Sequence, residues 1–115
     1  MNPDPSKAYS EAIKAVEAAT IPIICPNDKM ATLGKVINII QNQNWELSLR
    51  KSPKNLTSNI ILLDMLRTLW EGQLDRHDSG DTNAPRSVNE SEAAVAVGLA
   101  VTLVHWFHSG LVIHE

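Results

Sequence analysis

The chain has 115 residues, of which 43% are hydrophobic and 20% charged, enough for one domain with a single core and too little for two. A formal net charge of -3 supplies no global field that would gather nucleic acid, so any such contact has to be local. The single cysteine, Cys25, excludes an intrachain disulfide and fits a reducing cytoplasm.

The opening stretch "MNPDPSKAYSE" lacks the basic flank and apolar centre of a signal peptide. A first helix is predicted from Asp4, an N-cap acceptor, and Pro5, whose fixed φ suits a first turn. Tyr9, Ala12, Ile13, Val16 and Ala19 then recur at helical spacing, with Lys7, Glu11 and Lys14 on the outer side. Pro22 and Pro26 end that pattern, and "IPIICP" between them reads as an extended apolar connector, or a strand without a partner. Cys25 sits in this apolar run with no adjacent base, the setting of a buried, inert thiol.

A second helix starting at Asn27 or Thr32 carries Leu33, Val36, Ile37 and Ile40, with Gly34 as its weak point. "NQNWELSLRKSPKN" breaks the periodicity and reads as a loop pinned by Trp45 and Leu47. Its Arg50, Lys51 and Lys54 form a small basic patch that is either solvated or a contact for an RNA backbone. The third helix begins at Asn55, Thr57 or Ser58, runs through Ile60, Leu63, Leu66, Trp70 and Leu74, and stops near the polar stretch "QLDRHDSGDTNAP".

The fourth helix has the best-defined start. Asn89 is its N-cap, Glu92 stands three residues on, and Val88 faces Ala93 as a hydrophobic staple. From Ala93 to Phe107 apolar residues occupy nearly every face, and Gly110 is a left-handed stop. Residues 93–113 approach the roughly 20 apolar residues of a membrane span, but two histidines and a Ser-Gly pair interrupt them, so the segment reads as a buried helix and no membrane is expected. Small residues at 93, 94, 96, 98 and 100 let neighbours approach closely. The sum is an all-α fold: one domain over residues 1–115, an antiparallel bundle of about four helices, with the apolar C-terminal helix at its centre.

Candidate chemistry concentrates at Asp75-Arg76-His77-Asp78. Arg76 offers a permanent fork of donors to phosphate oxygens, and His77 titrates near neutrality as base or acid. The competing reading is surface electrostatics, cations at a helix C-terminus beside flanking aspartates. His105 and His108 share a helix face, but no Cys or Glu completes a metal set with them. Neither a metal nor a cofactor is expected. Trp70 and Trp106 fall in apolar stripes, where core packing explains them better than base stacking.

"SKAYSEAIKAVEAATIPIICPNDKMATLGKVINII", the helix closing in "LWEGQLDRHDSGD", and "SEAAVAVGLAVTLVHWF" together resemble the C-terminal domain of bacterial abortive-infection proteins, which is similar to the wider HEPN group of helical nucleases. The resemblance spans nearly the whole chain and rests on helix order. It implies a domain that is possible as the C-terminal part of a longer protein, pairs into a homodimer in the cytoplasm, and carries an Arg-polar-x(4–6)-His motif facing a shared cleft for metal-independent cleavage of RNA in phage defence. Arg76 matches the motif's Arg and His77 its polar position. The motif's His would fall at Asp81, Thr82 or Asn83, and none is His. Either His77 substitutes as general base, with Arg76 on the scissile phosphate and Asp75 or Asp78 orienting the imidazole, or the pair is broken. The alternative function is a noncatalytic module that dimerises or couples other domains.

Overall fold

The computed structural model describes residues 4–49, 58–77 and 88–114, with Ser58 and residues 73–77 as backbone. These form helices α1 (Pro5–Ile24), α2 (Leu33–Gln43), α3 (Ser58–His77) and α4 (Glu90–His108), with two short strands, β1 (Glu46–Leu47) and β2 (Val112–Ile113). The fold is an all-α bundle. Its core runs through all four helices: Ile13 and Val16 of α1, Leu33, Val36 and Ile40 of α2, Leu62, Leu66 and Leu69 of α3, and Leu103 and Phe107 of α4 are almost wholly shielded from solvent.

α1 starts as its sequence predicts, with the Asp4 carboxylate accepting from the Lys7 amide and Pro5 at the first position. It does not stop at Pro22. The helix continues through that proline to Ile24, so the segment expected to be extended is the last turn of α1. Pro22 removes one donor from the ladder. The ladder resumes directly beyond it, where the Cys25 amide donates to the Ile21 carbonyl at 2.9 Å. Burial of Ile24 and Cys25 on the same element offsets the lost bond, and the helix ends just before Pro26, whose ring disfavours helical geometry in the residue preceding it.

α2 begins at Leu33, with Thr32 as its N-cap residue. The Thr32 side chain makes no capping bond; the Glu17 carboxylate of α1 accepts from the Leu33 amide at 2.8 Å instead. A negative charge from a neighbouring helix thus satisfies one of the free amides and meets the positive end of the α2 dipole. At the other end Asn44 is left-handed (φ 57°), and the Trp45 amide closes back on the Ile40 carbonyl. The chain then turns into β1, which pairs antiparallel with β2 through Glu46–Ile113 and Leu47–Val112. Leu47 and Val112 are buried, and the His114 ring stacks on Trp45 with centroids 4.6 Å apart. The expected pin at Trp45 and Leu47 is therefore a two-stranded clasp joining the chain after α2 to the chain after α4.

α2 and α3 run antiparallel. Gly34 at the start of α2 lies against Trp70 late in α3, where a Cβ would come within 3.0 Å of the indole nitrogen. At the opposite end the Asn59 side chain donates to the Trp45 carbonyl at 2.6 Å. Gly34, a weak point by helix propensity alone, is what allows this close approach.

α4 carries the predicted capping box: the Asn89 side chain accepts from the Glu92 amide while the Glu92 carboxylate accepts from the Asn89 amide. Val88 and Ala93, the two halves of the staple, are both buried. After α4, Gly110 is left-handed (φ 70°), and the Gly110 and Leu111 amides bond back to the Phe107 and Trp106 carbonyls, the double closure that satisfies the last carbonyls of a helix. α4 packs chiefly along α1. Ala93, Ala96, Ala100, Leu103 and Phe107 form its buried stripe, while Val95, 58% exposed, stands off one flank of it and Val97 and Val101, 43% and 65% exposed, off the other. The helix expected to be surrounded is buried on one face only.

Candidate functional site

Among the described residues two concave regions are candidates for a site. The first is the end of the bundle where α3 finishes and α1 and α4 begin. Here the Tyr9 hydroxyl donates to the Leu69 carbonyl at 2.7 Å in a buried setting, and Gly72 lies so close that a Cβ there would stand 2.2 Å from the Tyr9 oxygen. A cavity of about 300 Å³ opens beside them, with Thr68 and Gly72 of α3 on one side and Ser91, Glu92 and Val95 of α4 on the other. Tyr9 and the first turns of α4 share this cavity, so α1 and α4 start at the same end of the bundle.

Asp75, Arg76 and His77 belong to the last turn of α3, one turn beyond Gly72. Their backbone is helical. Asp78, like Arg50, Lys51 and Lys54, lies outside the described residues. Among the described residues no three His, Cys, Asp or Glu side chains gather as a metal site. His105 places Nδ1 3.3 Å from the Ser109 hydroxyl, and His114 is engaged on Trp45.

The second region is a groove of about 560 Å³ between α1 and α4. Ala12 and Ala100 form its buried floor. Ala8 and Ala15 line the α1 side, Val97, Val101 and Val104 the α4 side, and Glu11 and His105 are its polar members. The groove exists because small residues on both helices leave a shallow trough where larger ones would have filled it. Sequence reasoning assigned these valines to a buried surface. The alanines at 93, 96 and 100 mark the face that packs on α1, and β-branched residues at 95, 97 and 101 fall off that stripe.

The electrostatics of the described residues are modest. Asp28 and Lys35 form a direct ion pair. The hydrogen bond from Lys35, and then that from the Met30 amide, hold the Asp28 carboxyl below the usual carboxylate range; the same contact raises Lys35. Burial pushes the Cys25 thiol up, the nearby Asp28 charge adds to this, and Lys35 partly opposes it. A free, buried thiol with a raised pKa has little of the thiolate that reacts.

By length and composition α4 could cross a membrane, yet it forms one wall of the bundle core through Ala96, Leu103 and Phe107. No family model, curated protein or solved structure matches the chain.

Proposed function

We propose that this chain is an interaction module of the abortive-infection type, a cytoplasmic helical domain that works by presenting the α1–α4 face to a protein partner. The observation that carries this reading is the exposure of Val97 and Val101, one turn apart on α4, on the wall of an apolar groove with only two charged or titratable members. Neighbouring exposed valines beside a groove are what a binding surface requires, whereas a single exposed apolar side chain would need no explanation.

The test is whether this face is spare to the fold. In a Val97→Gln/Val101→Gln protein, thermal unfolding should stay within a few degrees of the wild type, because surface substitutions of this kind change stability by about 0.5 kcal/mol or less. A loss of roughly 3 kcal/mol or more, the range for core side chains, would make the valines part of the core and remove the reading.

A second reading is metal-independent cleavage of RNA, favoured by one observation. Asp75, Arg76 and His77 lie in the final turn of α3, one turn beyond a residue that lines the end cavity. In that reading Arg76 binds the scissile phosphate, His77 is the general base and Asp75 or Asp78 orients it, with Arg50, Lys51 and Lys54 along the RNA backbone. Single-stranded RNA incubated with the protein under chelator should be cut by the wild type and spared by His77→Ala and Arg76→Ala. Cleavage unchanged in both variants refutes these roles.

A further inference from the structure

We propose that the end cavity, between α3 and the first turns of α4, binds a compact organic ammonium ion: a small apolar body carrying a protonated primary amine. The site lies off the other flank of α4 from the α1–α4 groove and stands apart from the interaction reading. Its volume of about 300 Å³ is at the small end of ligand pockets, with room for a single ring or a short branched chain. Val88, Val95, Ala96 and Leu99 give it apolar walls, and Gly72, having no side chain, keeps the α3 side open. The 58% exposure of Val95 thereby has a reason, since an apolar ligand body leaving water would cover it.

The polar groups on the wall decide the charge of the ligand. The Thr68 hydroxyl gives its hydrogen to the Asp64 carbonyl at 2.6 Å, which leaves its oxygen to accept. Glu92 accepts from the Asn89 amide through Oε1, and its Oε2 makes no bond among the described residues. The Ser91 hydroxyl rotates and accepts as well. Three residues thus offer acceptor oxygens to one cavity, matching the three hydrogens of a primary ammonium, and the carboxylate makes one of those bonds charge-assisted. The start of α4 pulls the other way, because a helix N-terminus carries roughly half a positive charge. The capping box already meets that end. Glu92, the one ionised side chain among the described residues of the wall, brings a full negative charge, so a cation is favoured over an anion.

Titration of the isotope-labelled full chain with benzylamine, followed through its amide resonances, tests this. Shifts at Thr68, Ser91, Glu92 and Val95 should saturate, with a dissociation constant on the order of 1 mM for a probe of that size. Benzyl alcohol, which keeps the ring and loses the charge, and benzyltrimethylammonium, which keeps the charge and loses the hydrogens, should each bind about tenfold more weakly. Benzoate should not bind. Glu92→Gln should weaken benzylamine about tenfold while the fold persists, because glutamine also serves at that capping position. Thr68→Val, which keeps the shape and removes the acceptor, should weaken it severalfold and supplies the reading if the start of α4 is disturbed. The absence of saturating shifts overturns the proposal, as do benzoate binding as tightly as benzylamine, an affinity unchanged in both variants, and shifts confined to the α1–α4 groove. Tighter binding by N-acetyl-lysine amide, an amine without the ring, also overturns it, because the site would then take a protein's lysine. None of these outcomes depends on the stability of Val97→Gln/Val101→Gln, so the interaction reading stands or falls separately.

Discussion

The hydroxyl of Tyr9, near the start of α1, donates a 2.7 Å hydrogen bond to the backbone carbonyl of Leu69 on α3, sixty residues away. The bond is buried and lies where α3 delivers Asp75, Arg76 and His77 to the end of the bundle. Gly72 makes it possible, because any Cβ at that position would meet the Tyr9 oxygen. Removing the hydroxyl in Tyr9→Phe should cost about 1 kcal/mol, the usual worth of one such bond. Gly72→Ala should cost roughly 2 kcal/mol despite its better helix propensity, because overpacking outweighs it. The double variant should be more stable than the sum of the two predicts, since phenylalanine removes the clashing atom. Urea unfolding of all four proteins measures the coupling; strict additivity would show that the two residues do not touch in solution.

Glu17 and Leu33 form a second long-range contact, a carboxylate of one helix capping the first amide of another. Glu17→Ala should destabilise by about 1 kcal/mol, the typical cost of losing an N-terminal cap. Thr32→Ala should cost much less, because the Thr32 side chain makes no capping bond. The pair of measurements separates the two candidates for the cap, and a reversed order would assign it to Thr32.

These contacts mark how far the sequence was legible. The Asp4 and Asn89 caps and the Gly110 stop depend on residues within one turn of each other, and all appear in the structure, as do four helices among the described residues. Pro22 misled because a proline's local cost was set above the burial of Ile24 and Cys25, which only the tertiary fold reveals. The β1–β2 clasp joins segments more than sixty residues apart through two pairs, too few for any alternating pattern. α4 misled for a similar reason: apolar residues on every face predict surrounding neighbours, but among the described residues Val97 and Val101 are left exposed. At the candidate site, the final turn of α3 was legible from its polar residues, while the groove needed two helices side by side before it existed.

The Asp28–Lys35 pair gives a pH dependence with a definite sign. Asp28 is shifted down in the folded protein, so its contribution is present above the unfolded carboxylate pKa and disappears as pH falls through the lowered folded value. Lys35 is shifted up, so its share is present below the unfolded lysine pKa and is lost as pH rises through the raised one. The stability difference between wild type and Asp28→Asn should therefore be constant near neutrality, shrink toward zero in strong acid, and diminish in high salt. A difference that grows on acidification would contradict the assigned pairing.

Cys25 should behave as a core side chain. At neutral pH it should react with a thiol reagent far more slowly in the folded protein than after denaturation, because burial both shields the sulfur and disfavours its thiolate. Labelling at equal rates in the two states would mean that the end of α1 is open in solution.

The central claim, that the valines beside the α1–α4 groove are spare to the fold, is tested most directly by an environment-sensitive fluorophore attached at Val101→Cys in a Cys25→Ala protein. In dilute, folded protein the label should emit as a fully hydrated dye, and unfolding should stay within a few degrees of Cys25→Ala alone. Emission shifted to the blue under those conditions would place Val101 in the core and contradict the claim.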